Sequence, residues 1–234
     1  MTTWDVLHRE TRGGGEHGWL STRHTFSFAH WFNPERMGFG PLRVINEDKV
    51  SGGAGFGAHP HQDMEIISFP LAGELRHRDS MGHGSSVFPG EIQYMSAGTG
   101  VYHSEMNGSE TDELHFLQIW IQPNAKRQKP RYGQLRWDDE RAHNALRVVA
   151  SADGEDDSIA IRQDARLLVG KFDKGKGASI ELDSNRSVFV HVATGAVSVD
   201  GQLLRGGDSA SVTGLDKLKI AARDHSQVLV FDLP

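Results

Sequence analysis

Two short segments carry side chains that could hold a metal ion: His59 and His61 in AHPHQD, and His103 and Glu105 in VYHSEMN. In an extended strand, residues i and i+2 point to the same face, so each segment presents both of its ligands on one side, with Pro60 and Ser104 turned away. Two such strands facing one interior would bring three imidazoles and a carboxylate onto one ion. Neutral imidazoles and a single carboxylate leave a divalent ion with one net positive charge. At octahedral coordination two positions stay open to water, oxygen or a chelating ligand. That is a catalytic design, since a closed structural zinc site more often uses thiolates. Strand parity leaves one ambiguity, because Asp63 and Glu65 share the strand face of His61 and either could reach a metal.

The elements that must position these residues read as strands. Short alternating apolar stretches, broken every ten residues or so by Gly, Pro, Asp or Asn, predict an all-β chain with little helix. PLRVINEDKV from Pro41, MEIISFPLAGELRH from Met64, LHFLQIWIQP from Leu114 and RSVFVHVATGAVSVDGQLL from Arg186 are the clearest examples. Asp200-Gly201 is a two-residue hairpin turn. FPLAGELRHRDSMGHGSSVFPGEIQYMSAG has the same rhythm of strands and glycines as VHVATGAVSVDGQLLRGGDSASVTG, which predicts two similar barrels in tandem. The polar, non-periodic stretch from Asn124 to Asp157 is the natural crossover. The domains are therefore expected at 1–138, with the metal site, and 139–234, without one. Beyond Asp157 only His191 and His225 remain, with no H-x-H.

Composition narrows the function. The 234 residues carry 25 basic and 31 acidic side chains, for a net charge of −6, and no basic run, which disfavours direct nucleic-acid binding. MTTWDVLHRETRGGGEHGWL has no apolar core of a signal peptide, and no window has the length of a membrane span, so the expected location is the cytoplasm. Without cysteine, a metal must be held by nitrogen and oxygen.

The spacing of Gly53, His59, His61 and Glu65 resembles the first cupin motif, and that of Gly100, His103 and Asn107 the second. Seven residues rather than six separate Glu65 from Gly73. The run GWLSTRHTFSFAHWFNPERMGFGPLRVINEDKV, with HPHQDMEI, ELRHRDSMGHG and YMSAGTGVYHSEMN, resembles more closely the pirin family and its bacterial members with quercetin dioxygenase activity. This resemblance implies a bicupin, two tandem jelly-roll-type β-barrels. It implies one metal per chain, Fe2+ before other divalent ions, held by His59, His61, His103 and Glu105, with Glu105 rather than Glu65 as the carboxylate ligand. Glu65 would then orient an imidazole through its free ring nitrogen. It further implies oxygenolytic cleavage of a flavonol such as quercetin with release of carbon monoxide, Glu105 serving as ligand and base. Flavonol and O2 are the expected partners, with neither nucleic acid nor membrane, and the chain is expected to act as a monomer. The alternative implied by eukaryotic pirins is a metal-dependent, redox-sensing, transcription-associated binding protein. A sugar-phosphate isomerase would need a cationic cluster, for which Arg76 and Arg78 are the only nearby pair, and these read as a solvated strand face.

Several other residues have a plainer reading. His77 and His115 on strands are hydrogen-bonded packing residues by default. His24 and His30, among Phe26, Phe28, Trp31 and Phe32, belong to an arm folded onto a barrel. The glycines of GGAGFGAHP and MSAGTGVYH precede no helix with Lys-Ser/Thr, so they form tight turns into the ligand strands.

Overall fold

The computed structural model describes residues 2–234, and the chain is built from strands, with two single-turn 3-10 segments, Arg9–Thr11 and Glu155–Asp157, among the described residues. In chain order the strands are β1 (Thr3–Leu7), β2 (Gly13–Glu16), β3 (Leu20–His24), β4 (Leu42–Val50), β5 (Gly55–His61), β6 (Glu65–Ala72), β7 (Leu75–Asp79), β8 (Gly84–Val87), β9 (Glu91–Ser96), β10 (Val101–Asn107), β11 (Leu114–Ile121) and β12 (Arg131–Arg136). There follow β13 (Arg147–Ser151), β14 (Ile159–Ala160), β15 (Arg166–Phe172), β16 (Gly177–Glu181), β17 (Ser187–Thr194), β18 (Ala196–Val199), β19 (Gln202–Arg205), β20 (Ser209–Thr213), β21 (Lys217–Ala222) and β22 (Ser226–Leu233). No helix is long and apolar enough to cross a membrane.

Two compact units share one topology. The first, Gly13–Arg136 with Ile161–Gln163, pairs a seven-stranded sheet, β12-β9-β6-β11-β4-β3-β2, with a four-stranded sheet, β5-β10-β7-β8. The second, Met1–Arg12 with Trp137–Ala160 and Asp164–Pro234, repeats this as β1-β20-β17-β22-β15-β13-β14 and β16-β21-β18-β19. The repeat read from the sequence maps onto β6 to β9 and β17 to β20, and Asp200 and Gly201 turn β18 into β19 with φ of 45° and 91°. Both units are two-layered cupin folds. Strands of the four-stranded sheets, such as β7, β10 and β21, alternate between buried and more exposed residues, whereas central strands of the seven-stranded sheets, such as β6, β17 and β22, are buried on both faces.

The expected division at 138/139 lies two residues beyond the change of unit after Arg136, and the structure differs from it in giving the first twelve residues to the second unit and Ile161–Gln163 to the first. β1 pairs antiparallel with β20, from Thr3↔Thr213 to Leu7↔Ser209, and takes in the second unit the edge place that β12 takes in the first. The stretch expected to be a crossover also contains strands. Edge strand β12 pairs with β9 and buried β13 with β15, while the chain between and around them is irregular and passes from the first unit to the second after Arg136.

The interiors differ where it matters. In the second unit one row across the large sheet reads Ala210, Val190, Val230, Leu168, Val148, all buried in a continuous apolar core. The matching row in the first unit reads Gln93, Ser68, Gln118, Asn46, His24, equally buried. It separates one apolar cluster around Val50, Leu75 and Phe116 from another around Ile66, Met95 and Val101. Burying such a row costs free energy unless each group finds a partner. The sister unit shows that the topology does not need it.

Candidate metal centre

The polar row faces the short sheet that carries the metal-ligand residues. On β5, His59 and His61 point inward, and the antiparallel register sets His103 of β10 directly opposite His59. Nε2 of His103 lies 3.0 Å from Nε2 of His59, and the three ring centroids are 4.5–4.8 Å apart. One ligand atom from each of His59, His61 and His103 falls within 4.8 Å of the others. Gly55 permits this approach, since a Cβ there would lie 2.5 Å from Cα of Met106. Beside it the β5–β10 register shifts, His103 pairing with His59 and Glu105 with Phe56, so that the extra residue bulges from β5.

Protonation suits ligation. The Nδ1–H of His59 donates to the Gly57 carbonyl at 2.7 Å, which leaves the lone pair on Nε2. Burial, reinforced by His103 and His59 and opposed by Glu105, lowers His61 to about 4. Burial, with His59 and His77 adding and Asp79 opposing, lowers His103 to about 3. Both rings are neutral at pH 7, the form that binds metal. When the lone pairs of all three rings are turned inward, nitrogens this close repel unless they share a cation, so the donor set fits a divalent ion that takes imidazole ligands.

Glu105 is 2% exposed and lines a cavity together with His59 and His61. Its two carboxylate oxygens accept hydrogen bonds from the Ser68 hydroxyl and the Gln118 amide, both members of the polar row. The structure thus clusters three of the four predicted ligands and holds the fourth on the same cavity wall. Glu65 behaves differently. Asp63 adopts φ of 48° between β5 and β6, so strand parity does not carry across from His61 to Glu65. The Glu65 carboxylate accepts from Tyr94, from Ser96 at 2.6 Å and from the Arg162 backbone at 3.0 Å, and it orients no imidazole.

The rest of the cavity was not singled out by the sequence reading. Phe28, Phe56 and Trp120 supply aromatic walls, Trp120 standing edge-on to His61 at 4.9 Å, and Asn46, Asp48 and Gln118 supply polar ones. Burial raises Asp48 to about 7, with the Thr22 hydroxyl opposing and the Glu105 charge adding to the rise. Among the other histidines, His77 is buried, bonded to Asp79 at 3.1 Å and 5.3 Å from the His103 ring. His115 pairs with Glu47, and Arg76 is held by Glu74. Of the expected arm, His24 and Phe28 pack edge to face and Phe26 is buried, whereas His30 and Phe32 are exposed. A polar residue at an inward position of an apolar strand, Ser68 in IISFP or Gln118 in LQIW, was the available signal.

In the second unit the strands equivalent to β5 and β10 are β16 and β21, whose inward residues Ala178, Ile180, Leu218 and Ile220 belong to the apolar core.

Comparison with known proteins agrees with this geometry. Residues 6–121 match the Pirin family and residues 148–233 match the quercetinase C-terminal cupin domain. The chain is 43% identical over 223 residues to the quercetin 2,3-dioxygenase of Escherichia coli K12, covering 95% of each. It is also similar to the crystal structure of YhhW from Escherichia coli, with a TM-score of 0.95 and 40% identity over 99% of this chain and 98% of that one. A second structure of that bacterial pirin, in complex with nickel(II), matches with a TM-score of 0.94 and 40% identity over 99% of both chains. An inward-facing imidazole cluster in the first of two like cupin units, matched by family and by fold along nearly the whole chain, makes this protein a member of the pirin family.

Proposed function

We propose that the protein is a metal-dependent dioxygenase that opens the central ring of a flavonol such as quercetin, consuming one O2 and releasing one carbon monoxide per flavonol. One observation carries the reading: the imidazole cluster borders a cavity whose remaining walls are aromatic rings and a buried carboxylate. The relatives named quercetin 2,3-dioxygenase support it. His59, His61, His103 and Glu105 would hold the ion, Fe2+ before other divalent metals, in the first unit alone. A bound ion would supply a Lewis-acidic chelation point for the hydroxy-ketone and a means of engaging O2. Phe28, Phe56 and Trp120 clasp a planar ring system and exclude water from it. Glu105 takes the proton of the flavonol hydroxyl, and the hydrogen bonds from Ser68 and Gln118 fix the direction in which its carboxylate can move. The chain acts as a cytoplasmic monomer in this reading, which sedimentation and fractionation test.

The deciding experiment is anaerobic metal reconstitution followed by quercetin with and without oxygen. Oxygen-dependent loss of the long-wavelength absorbance with stoichiometric carbon monoxide is expected, at one metal per chain. Glu105→Gln cannot accept the proton at neutral pH, so its rate should fall well beyond its loss of metal. No oxygen uptake with any flavonol bearing the free hydroxyl beside the ketone refutes the assignment.

A further inference from the structure

Two buried polar atoms on the cavity wall have no hydrogen-bond partner within the protein: Oδ1 of Asn46 and Nε1 of Trp120. Asn46 is 4% exposed. The two residues sit on adjacent strands, Asn46 opposite Gln118 and Trp120 two positions further along β11, on the same face of the sheet. One atom is an acceptor and the other a donor, and Trp120 also stacks edge-on against His61 of the metal cluster.

The sister unit makes this pair informative. Asn46 occupies the place in the large sheet that Leu168 occupies in the second unit, where the residue is buried in the apolar core. A leucine is therefore compatible with the topology at that point, and an asparagine left with an unpaired amide oxygen is the more costly choice. Its row neighbours Ser68 and Gln118 are occupied in holding Glu105, so their polarity is explained by the metal site. That of Asn46 is not.

We infer that Asn46 and Trp120 form a hydroxyl-reading subsite, in which a hydroxyl on the aromatic ligand, away from its chelating hydroxy-ketone, donates to Asn46 Oδ1 and accepts from Trp120 Nε1–H. A hydroxyl can satisfy both atoms at once, donating to the amide oxygen and accepting from the indole N–H. The subsite makes Asn46 a specificity-determining residue that selects polyhydroxylated flavonols over the bare ring system. This deepens the function proposed above and rests on it.

The test uses the metal-reconstituted full chain under anaerobic conditions, so that no ligand is consumed, and two ligands that share the hydroxy-ketone, quercetin and unsubstituted 3-hydroxyflavone, followed by titration calorimetry. Wild type should bind quercetin on the order of 10- to 100-fold more tightly, the usual effect of completing a buried hydrogen bond. Asn46→Leu should keep its metal and its affinity for 3-hydroxyflavone, shrink the preference to about threefold or less, and raise the melting temperature of the ligand-free protein. Trp120→Phe, which keeps the aromatic wall and deletes the donor, should shrink the preference independently. Equal binding of the two ligands by wild type overturns the subsite while leaving the proposed function intact. An undiminished preference in both variants does the same. Failure of wild type to bind either ligand removes both readings together.

Discussion

Asp48→Asn should make the protein more stable, and increasingly so as the pH rises. Burial holds the Asp48 proton from the ordinary 3.8 up to about 7, with the Thr22 hydroxyl acting against this and the charges of Glu105 and Glu47 reinforcing it. In the unfolded chain the same carboxyl ionises near its ordinary value. The folded state therefore binds one more proton than the unfolded state between these limits, and stability falls as pH rises through that window. The contribution is fully present below pH 3.8 and lost above about 7. At 1.36 kcal/mol per tenfold, the whole window amounts to about 4 kcal/mol, of which about 3 kcal/mol falls between pH 5 and 8. An asparagine occupies the same volume, still accepts from Thr22 and never ionises. Urea unfolding of metal-free wild type and variant at pH 5 and pH 8 reads the difference directly. The stability gap in favour of the variant should widen by about 3 kcal/mol between the two. A gap that stays constant within about 0.5 kcal/mol would show that Asp48 is ionised in the fold and that the desolvation argument is wrong.

Two further outcomes follow from the same geometry. Because His61 and His103 stay neutral down to about 4 and about 3, metal affinity measured in a chelator-buffered titration should change little through these two rings between pH 7.5 and 5.5. Two ordinary imidazoles would impose a loss of about 100-fold over that range, and a fall larger than this would contradict the burial argument. Glu65→Ala should cost about 3 kcal/mol or more, since it strands the donors of Tyr94, Ser96 and Arg162, yet elemental analysis should still find one metal per chain. Loss of the metal with stability unchanged would return Glu65 to the ligand set.

How much of this was legible in the sequence depended on how far each relationship reaches along the chain. His59 with His61, and His103 with Glu105, are two residues apart, and period-2 geometry is enough to pair their faces. Strand parity does not extend from His61 to Glu65, because one left-handed residue, Asp63, intervenes. The polar row was out of reach, since it exists only through registers that join strands as distant as β3 and β11. Gln118 reads as an ordinary polar residue until Ser68 and Asn46 are placed beside it. The place of β1 was out of reach for the same reason: it finds its partner β20 about two hundred residues later, and nothing local in TWDVL announces that.

The pairing of β1 with β20 also dictates an order of events during synthesis. The ribosome makes β1 first, but the sheet that receives it is not complete until the last strands emerge. The unit that carries the imidazoles, Gly13–Arg136 apart from Ile161–Gln163, is available much earlier. The nascent chain can therefore assemble its metal-binding half while its own N-terminus is still waiting for a partner. Anything fused ahead of Thr3 hangs from the half made last, so an N-terminal tag would burden the folding of the apolar unit and leave the imidazole cluster largely untouched.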